Sequence, residues 1–360
     1  MRTLNKIISG SIIIAFIMNA TFESNAQASL LKRQIEKILK YEAPVDFNVV
    51  PGILIGVADG DSTYQFTFGN DIHPEGIYEL GSVTKPVVAW LVNRALDSLK
   101  QDATISVCTF LPDSLCTDSW RNVIIGQLLT HRAGLIRMPP GIGEHESDIK
   151  DPYKAYTMDR FANDLQSVQP VQGKYSYSNI GYAITNWLFQ KTGGLQNFTT
   201  EKLNIPYSMK DTKWDYEPKE IAPGYGMDGR PQPPWNANAL APALGLKSSL
   251  HDMMTFIRIL FEQYAHRPDL NSKPLKKEIK YLARANEFKV IDGWFVVTAG
   301  NSTLFYHTGR TGGHQVSICF IPHLRKGVIV FSNGALGSND LSLLILRMLR
   351  KSHSSKLRIK

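Results

Sequence analysis

The sequence predicts a mixed α/β (α+β) fold: an antiparallel sheet assembled from both chain ends, flanked by helices, with a helical lobe inserted between them. Short β-prone runs lie near the start, over 53–68, and return over 288–331, whereas the stretch from Ser82 to about Lys280 is mostly helical in period or irregular. Asp59-Gly60-Asp61 is a turn signal that splits the first β-prone stretch into a hairpin.

Arg2 and Lys6 precede an apolar run from Ile7 to Met18, and Ala26-Gln27-Ala28 has the small-x-small form of a cleavage site. Residues 1–28 therefore read as an export signal, since the run is shorter than the roughly 20 residues a membrane-spanning helix needs. The mature chain is expected to be periplasmic or secreted, with no integral membrane segment. Leu30, Leu31, Ile35, Ile38 and Leu39 recur at helical spacing, followed by strands at Ile53–Val57 and Tyr64–Phe68. Helices are expected at Val87–Leu99, Ile180–Gln190 and Leu250–Gln263, separated by Pro/Gly-rich loops such as Pro218–Pro234. Strands then follow at Phe288–Val297, Leu304–His307, Gln315–Ile321 and Gly327–Phe331, closed by a helix from about Leu341 to Leu349. The basic end, Lys351–Lys360, reads as a frayed, solvated tail. Residues 29–350 thus form one expected domain, with a sheet lobe (about 29–81 and 286–350), a helical lobe (about 82–285) and a cleft between them as the natural binding place.

Composition narrows the function. With 43% hydrophobic and 20% charged residues, the 360-residue chain is ordinary for a globular protein, which excludes disordered, fibrous and solenoid classes. Its formal charge of +8 is mild and scattered, without an arginine-rich or zinc-finger pattern, so no nucleic-acid partner is expected. Three cysteines are too few for a disulfide framework; each reads as a small buried hydrophobe, although Cys108 and Cys116 are close enough for one optional bridge. No His-Glu-x-x-His or Cys-x-x-Cys occurs, and no metal or other cofactor is expected.

Three segments carry chemistry. In Glu79-Leu80-Gly81-Ser82-Val83-Thr84-Lys85, Ser82 and Lys85 are three apart and share a helix face, so an amine sits beside a hydroxyl that needs help to act as a nucleophile. Helix-start N–H groups there favour developing negative charge. In Tyr175-Ser176-Tyr177-Ser178-Asn179, Tyr177 offers a phenol able to exchange a proton if cations lower its pKa, and Asn179 an amide for an amide substrate. In His307-Thr308-Gly309-Arg310, a strand edge supplies backbone N–H groups, Thr308 a hydroxyl, His307 a possible positive charge and Gly309 room for a ligand. His131 reads as a structural hydrogen-bonding residue, and Trp214, Tyr216, Tyr225 and Trp235 as a possible aromatic rim.

In this order the three segments resemble the penicillin-recognising serine hydrolases, specifically the class C β-lactamase and D-alanyl-D-alanine carboxypeptidase family, which includes esterases. Leu128-Leu129-Thr130-His131-Arg132-Ala133-Gly134-Leu135 and Ala243-Leu244-Gly245-Leu246-Lys247-Ser248-Ser249, with Asp252-Met253, extend the resemblance over about residues 45–350. It implies a β-lactamase/transpeptidase-like fold with Ser82 as acylated nucleophile, Lys85 as its proton partner and Tyr177 as proton shuttle. Asn179 would hold the substrate amide, Thr308 with His307 would face a substrate carboxylate, and the N–H groups of Ser82 and Arg310 would form an oxyanion hole beside Gly309. His307, where class C β-lactamases usually carry Lys, and Arg310, where a small hydroxyl is common, are departures. A monomer is expected, acting on peptidoglycan-type D-alanyl peptides or other small molecules such as β-lactams. A small-ester esterase and a slowly deacylating penicillin-binding protein are the alternatives.

Overall fold

The structure, a computed structural model, describes residues 25–142, 150–265, 275–276, 287–299, 302–335 and 340–356. The export signal therefore lies almost wholly outside the described residues. The chain divides into two compact units, Met1–Val45 and Asp46–Lys360. In the first, the amphipathic pattern forms a helix over 25–37 that continues as a π-helical turn, Ile38–Glu42.

The second unit is organised around an eight-stranded sheet whose paired neighbours are all antiparallel. β1 (Gly52–Asp59) and β2 (Ser62–Gly69) form the early hairpin, turning at Gly60 with φ of 62°. Short strands follow: β3 (Tyr78–Glu79), β4 (Gly224–Tyr225), β5 (Pro231–Gln232), β6 (Lys247–Ser248) and β7 (Leu275–Lys276). The C-terminal set is β8 (Glu287–Ile291), β9 (Trp294–Ala299), β10 (Ser302–Arg310), β11 (Gln315–Ile321) and β12 (Lys326–Ser332). Spatial order is β2-β1-β12-β11-β10-β9-β8-β7, so the two ends of the unit meet where Ile55 pairs with Val330.

Burial explains the sequence patterns. β11 and β12 are buried at every position, Gln315, Ser317, Lys326 and Ser332 included, and the apolar runs Ile318–Ile321 and Val328–Phe331 lie within them. β2, on the sheet edge, alternates buried Tyr64 and Phe66 with exposed neighbours, as a half-solvated strand does. The helix Leu250–Ala265 packs on β1 and β12, and the helix Leu341–Lys356 on β11 and β12.

Several sequence expectations need correction. Phe288–Val297 is two strands, because Asp292 and Gly293 both take positive φ (47° and 78°) and close a tight hairpin; Asp-Gly is the residue pair that such turns favour. Ile180–Gln190 is two short helices, Asn179–Ala183 and Thr185–Gln190. The basic tail is helical as far as Lys356 rather than frayed from Lys351; residues 357–360 lie outside the described residues. Cys108 and Cys116 form a disulfide with Cα atoms 5.3 Å apart, whereas Cys319 is free and buried as expected.

Candidate active site

Ser82 is held by a short chain reversal. After β3, the Leu80 N–H donates to the Leu246 carbonyl, and Gly81 takes φ of 50°, a conformation glycine adopts without a Cβ penalty. A 3-10 turn, Gly81–Val83, then feeds the helix Thr84–Ser98. Thr84 Oγ1 accepts the Leu246 N–H at 3.1 Å, fastening this helix start to the chain just before β6. Lys85 reaches back one turn, with Nζ 3.0 Å from Ser82 Oγ and 2.8 Å from the Ala243 carbonyl. It is fully buried, with no carboxylate within ion-pair distance among the described residues. Burial, reinforced by the Arg137 charge, pushes its pKa well below the usual lysine range.

The second wall is a zipper between two loops. Ser176 Oγ donates to the Leu135 carbonyl at 2.6 Å, Ser178 Oγ to Ile136 at 2.7 Å, and the Asn179 N–H to Arg137 at 2.9 Å. Successive carbonyls of residues 135–137 are thus held by the polar residues around Tyr177. His131 supports this wall by accepting the Ser178 N–H on Nδ1 at 3.2 Å, with its ring centroid 4.3 Å from that of Tyr177. That is the structural role its sequence context implies. Asn179 Nδ2 donates to Met138 Sδ, while its buried Oδ1 has no partner among the described residues.

Tyr177 corrects one expectation. Arg137 and contact with Ser82 pull its pKa down, but burial outweighs both and raises it to about 12, so the resting group is a neutral phenol. His307 corrects another. It is 1% exposed, its Nδ1 is 2.8 Å from the Thr308 carbonyl, and its ring stacks on Phe295 with centroids 5.1 Å apart. Burial and the neighbouring Lys85 hold its pKa down at about 3; the expected positive charge is absent at neutral pH.

Gly309 brings the third wall to the first. A Cβ there would stand 1.9 Å from the Leu80 carbonyl oxygen and 2.8 Å from the Ser82 nitrogen, so only glycine lets β10 cross the Ser82 turn this closely. The Arg310 backbone nitrogen lies 2.6 Å from where a Gly81 Cβ would be, so β10 passes close to the turn at Gly81 as well. Below it, the buried Glu79 carboxylate accepts from the Trp235 N–H (2.7 Å) and Thr311 Oγ1 (2.8 Å), and it lies 3.1 Å from His314 Nδ1.

Ser82, Tyr177, Asn179, His307, Thr308, Gly309 and Arg310 all line one cleft of about 720 Å³, with Lys85 beneath Ser82. Arg137, Met138, Phe295 and Gln315 line it too, and sequence reasoning missed them. Of the expected aromatic rim, Trp235 lines this cleft, Trp214 and Tyr216 line a neighbouring cavity of about 520 Å³, and Tyr225 lines neither, its hydroxyl being bonded to Asp71.

A serine with a buried lysine partner, a tyrosine and asparagine on a facing wall and a strand crossing behind them define a serine hydrolase of the β-lactamase/D-alanine carboxypeptidase type. Residues 40–349 match the Beta-lactamase family, and the chain belongs to it. A β-lactamase from Providencia stuartii is 26% identical, with 90% of this chain and 92% of that protein covered. The fold is similar to that of a β-lactamase/D-alanine carboxypeptidase from Pseudomonas syringae, with TM-score 0.69, 15% identity and coverage of 91% and 99%. It is also similar to an octameric penicillin-binding protein homologue from Pyrococcus abyssi, with TM-score 0.71, 21% identity and coverage of 90% and 77%. Among the described residues no helix is long and apolar enough to cross a membrane.

Proposed function

We propose that this protein forms an acyl-enzyme on Ser82 and hydrolyses amide bonds of D-alanyl peptides, with β-lactams as a second substrate class and small esters as a third. The observation that supports this most is the enclosed Lys85 amine, 3.0 Å from Ser82 Oγ, with burial and the Arg137 charge favouring its neutral form and no carboxylate among the described residues within ion-pair distance of it. A neutral amine takes the hydroxyl proton as Oγ bonds to the substrate carbonyl carbon. The electron pair displaced onto the carbonyl oxygen is received by the N–H groups of Ser82 and Arg310. Collapse of this adduct breaks the bond to the leaving group, which receives the proton from Lys85 through the Tyr177 phenol. Water then attacks the ester, regenerating Ser82 and releasing the acid. The unpaired Oδ1 of Asn179 suits a substrate amide N–H, and Thr308 would face the carboxylate, with His307 as a neutral neighbour. We further propose a monomer, exported by the segment over 1–28.

Incubating the protein with a fluorescent penicillin and following intact mass over time separates no reaction, stable acylation and turnover. Ser82→Ala is expected to abolish covalent labelling at an unchanged melting temperature. Labelling that persists on another serine would overturn the assignment.

A further inference from the structure

We propose that Arg137 is the specificity-determining residue that reads an anionic group, a carboxylate above all, on the leaving portion of the substrate. This rests on the acyl-serine reading above. Lys85 lies beneath the lining, and the permanent cations that line the cleft are Arg137 and Arg310, with no Asp or Glu among the described lining residues. Arg137 is exposed and has no carboxylate within ion-pair distance among the described residues. Its guanidinium carbon lies 4.9 Å from the centroid of the Tyr177 ring. Its backbone is fixed, because its carbonyl accepts the Asn179 N–H and the preceding carbonyl is held by Ser178. The cation is therefore presented from a clamped wall, not from a wandering loop.

Position assigns it to the leaving group. Whatever lies beside the Tyr177 hydroxyl when the proton is delivered is the departing portion, and Arg137 covers that ring. Its charge is also near enough to act on Lys85, Tyr177 and His131, whereas that of Arg310 is not among the influences on any of the three. The planar guanidinium offers two parallel N–H donors that match a carboxylate, and in a partly enclosed cleft such a pair discriminates against a neutral analogue.

The test uses two aryl phenylacetates with the same acyl group, one releasing phenol and the other 3-hydroxybenzoate. The ratio of kcat/KM, carboxylate ester over neutral ester, is measured for the unaltered protein and for Arg137→Gln, Arg137→Lys and Arg310→Gln, with melting temperatures as a check on folding. The unaltered protein is expected to favour the carboxylate ester. Arg137→Gln should lower the ratio on the order of tenfold or more, Arg137→Lys should restore part of it, and Arg310→Gln should lower it less than about threefold. A ratio of one in the unaltered protein, a ratio unmoved by Arg137→Gln, or a fall as large in Arg310→Gln overturns the proposal while acylation of Ser82 still stands. If neither ester is hydrolysed while penicillin still labels Ser82, this proposal fails alone; if penicillin labels nothing either, as read by intact mass, the acyl-serine reading fails and takes this proposal with it.

Discussion

Lys85 and Lys247 are both buried lysines close to the Ser82 turn, and their surroundings make them different groups. Lys247 lies on β6 directly opposite Glu79 on β3, and its Nζ donates to the Trp214 carbonyl at 3.3 Å. Burial lowers its pKa, while Glu79, Asp215 and Asp151 all oppose that shift. Lys85 is buried more deeply still, and the neighbouring charge that acts on it is Arg137, which adds to the effect of burial. Carboxylates around a buried lysine favour its charged form, whereas a second cation beside it favours the neutral amine. Of the two, only Lys85 touches a hydroxyl that lines the cleft.

The sharpest way to break this contrast is to remove each amine. Lys85→Ala is expected to slow acylation of Ser82 on the order of 100-fold or more, the scale of losing a positioned proton acceptor. The labelling rate with a saturating acyl donor reads this directly. A change confined to the concentration needed for half-saturation would mean that Lys85 only binds.

Lys247→Met should act on the fold instead. It leaves the Trp214 carbonyl without its donor and removes the charge facing Glu79, while Glu79 keeps Trp235, Thr311 and His314. A loss of about 1–3 kcal/mol in urea unfolding is expected, with acylation of Ser82 changed by no more than about threefold. A hundredfold loss of acylation at normal stability would remove the distinction between the two lysines.

Much of this was legible in the sequence because it is local. Ser82 and Lys85 are one turn apart, and the alternation in β2 and the apolar runs within β11 and β12 report burial directly. The segment around Gly245 to Asp252 was recognisable as a pattern, but its use is structural: the Ala243 carbonyl holds Lys85, and Asp252 accepts from the Asp211 N–H and the Thr212 hydroxyl. What was not legible depends on distance along the chain. Arg137 enters the cleft because residues 176–179 grip the carbonyls before it, and Glu79 finds partners 156 to 235 positions away. The Asp292-Gly293 hairpin was local and was missed, because the apolar residues on either side of it read as one run. Charge states were the least accessible, since both His307 and Tyr177 are shifted by enclosure, which no spacing encodes.

The smallest expected effect sharpens the comparison by adding a third buried base. His307 has a folded-state pKa of about 3 against an ordinary value of 6.5. Between those two values the unfolded chain binds the proton and the folded protein does not. The stability linked to His307 is therefore fully present above about pH 6.5 and is lost progressively as pH falls towards 3. His307→Gln removes that linkage, so its melting temperature should fall less between pH 7 and 4.5 than that of the unaltered protein. Some slope will remain, because burial and the same cationic neighbourhood also hold His131 well below its ordinary value, with the same sign. The comparison is between slopes, so any constant cost of the substitution itself drops out. An unchanged slope would mean that folding does not shift His307, and a steeper fall in His307→Gln would mean that His307 already carries a proton in the fold at neutral pH. In that event the cleft would hold a third cation beside Lys85, and Arg137 would no longer be the charge that sets the preference of the leaving side.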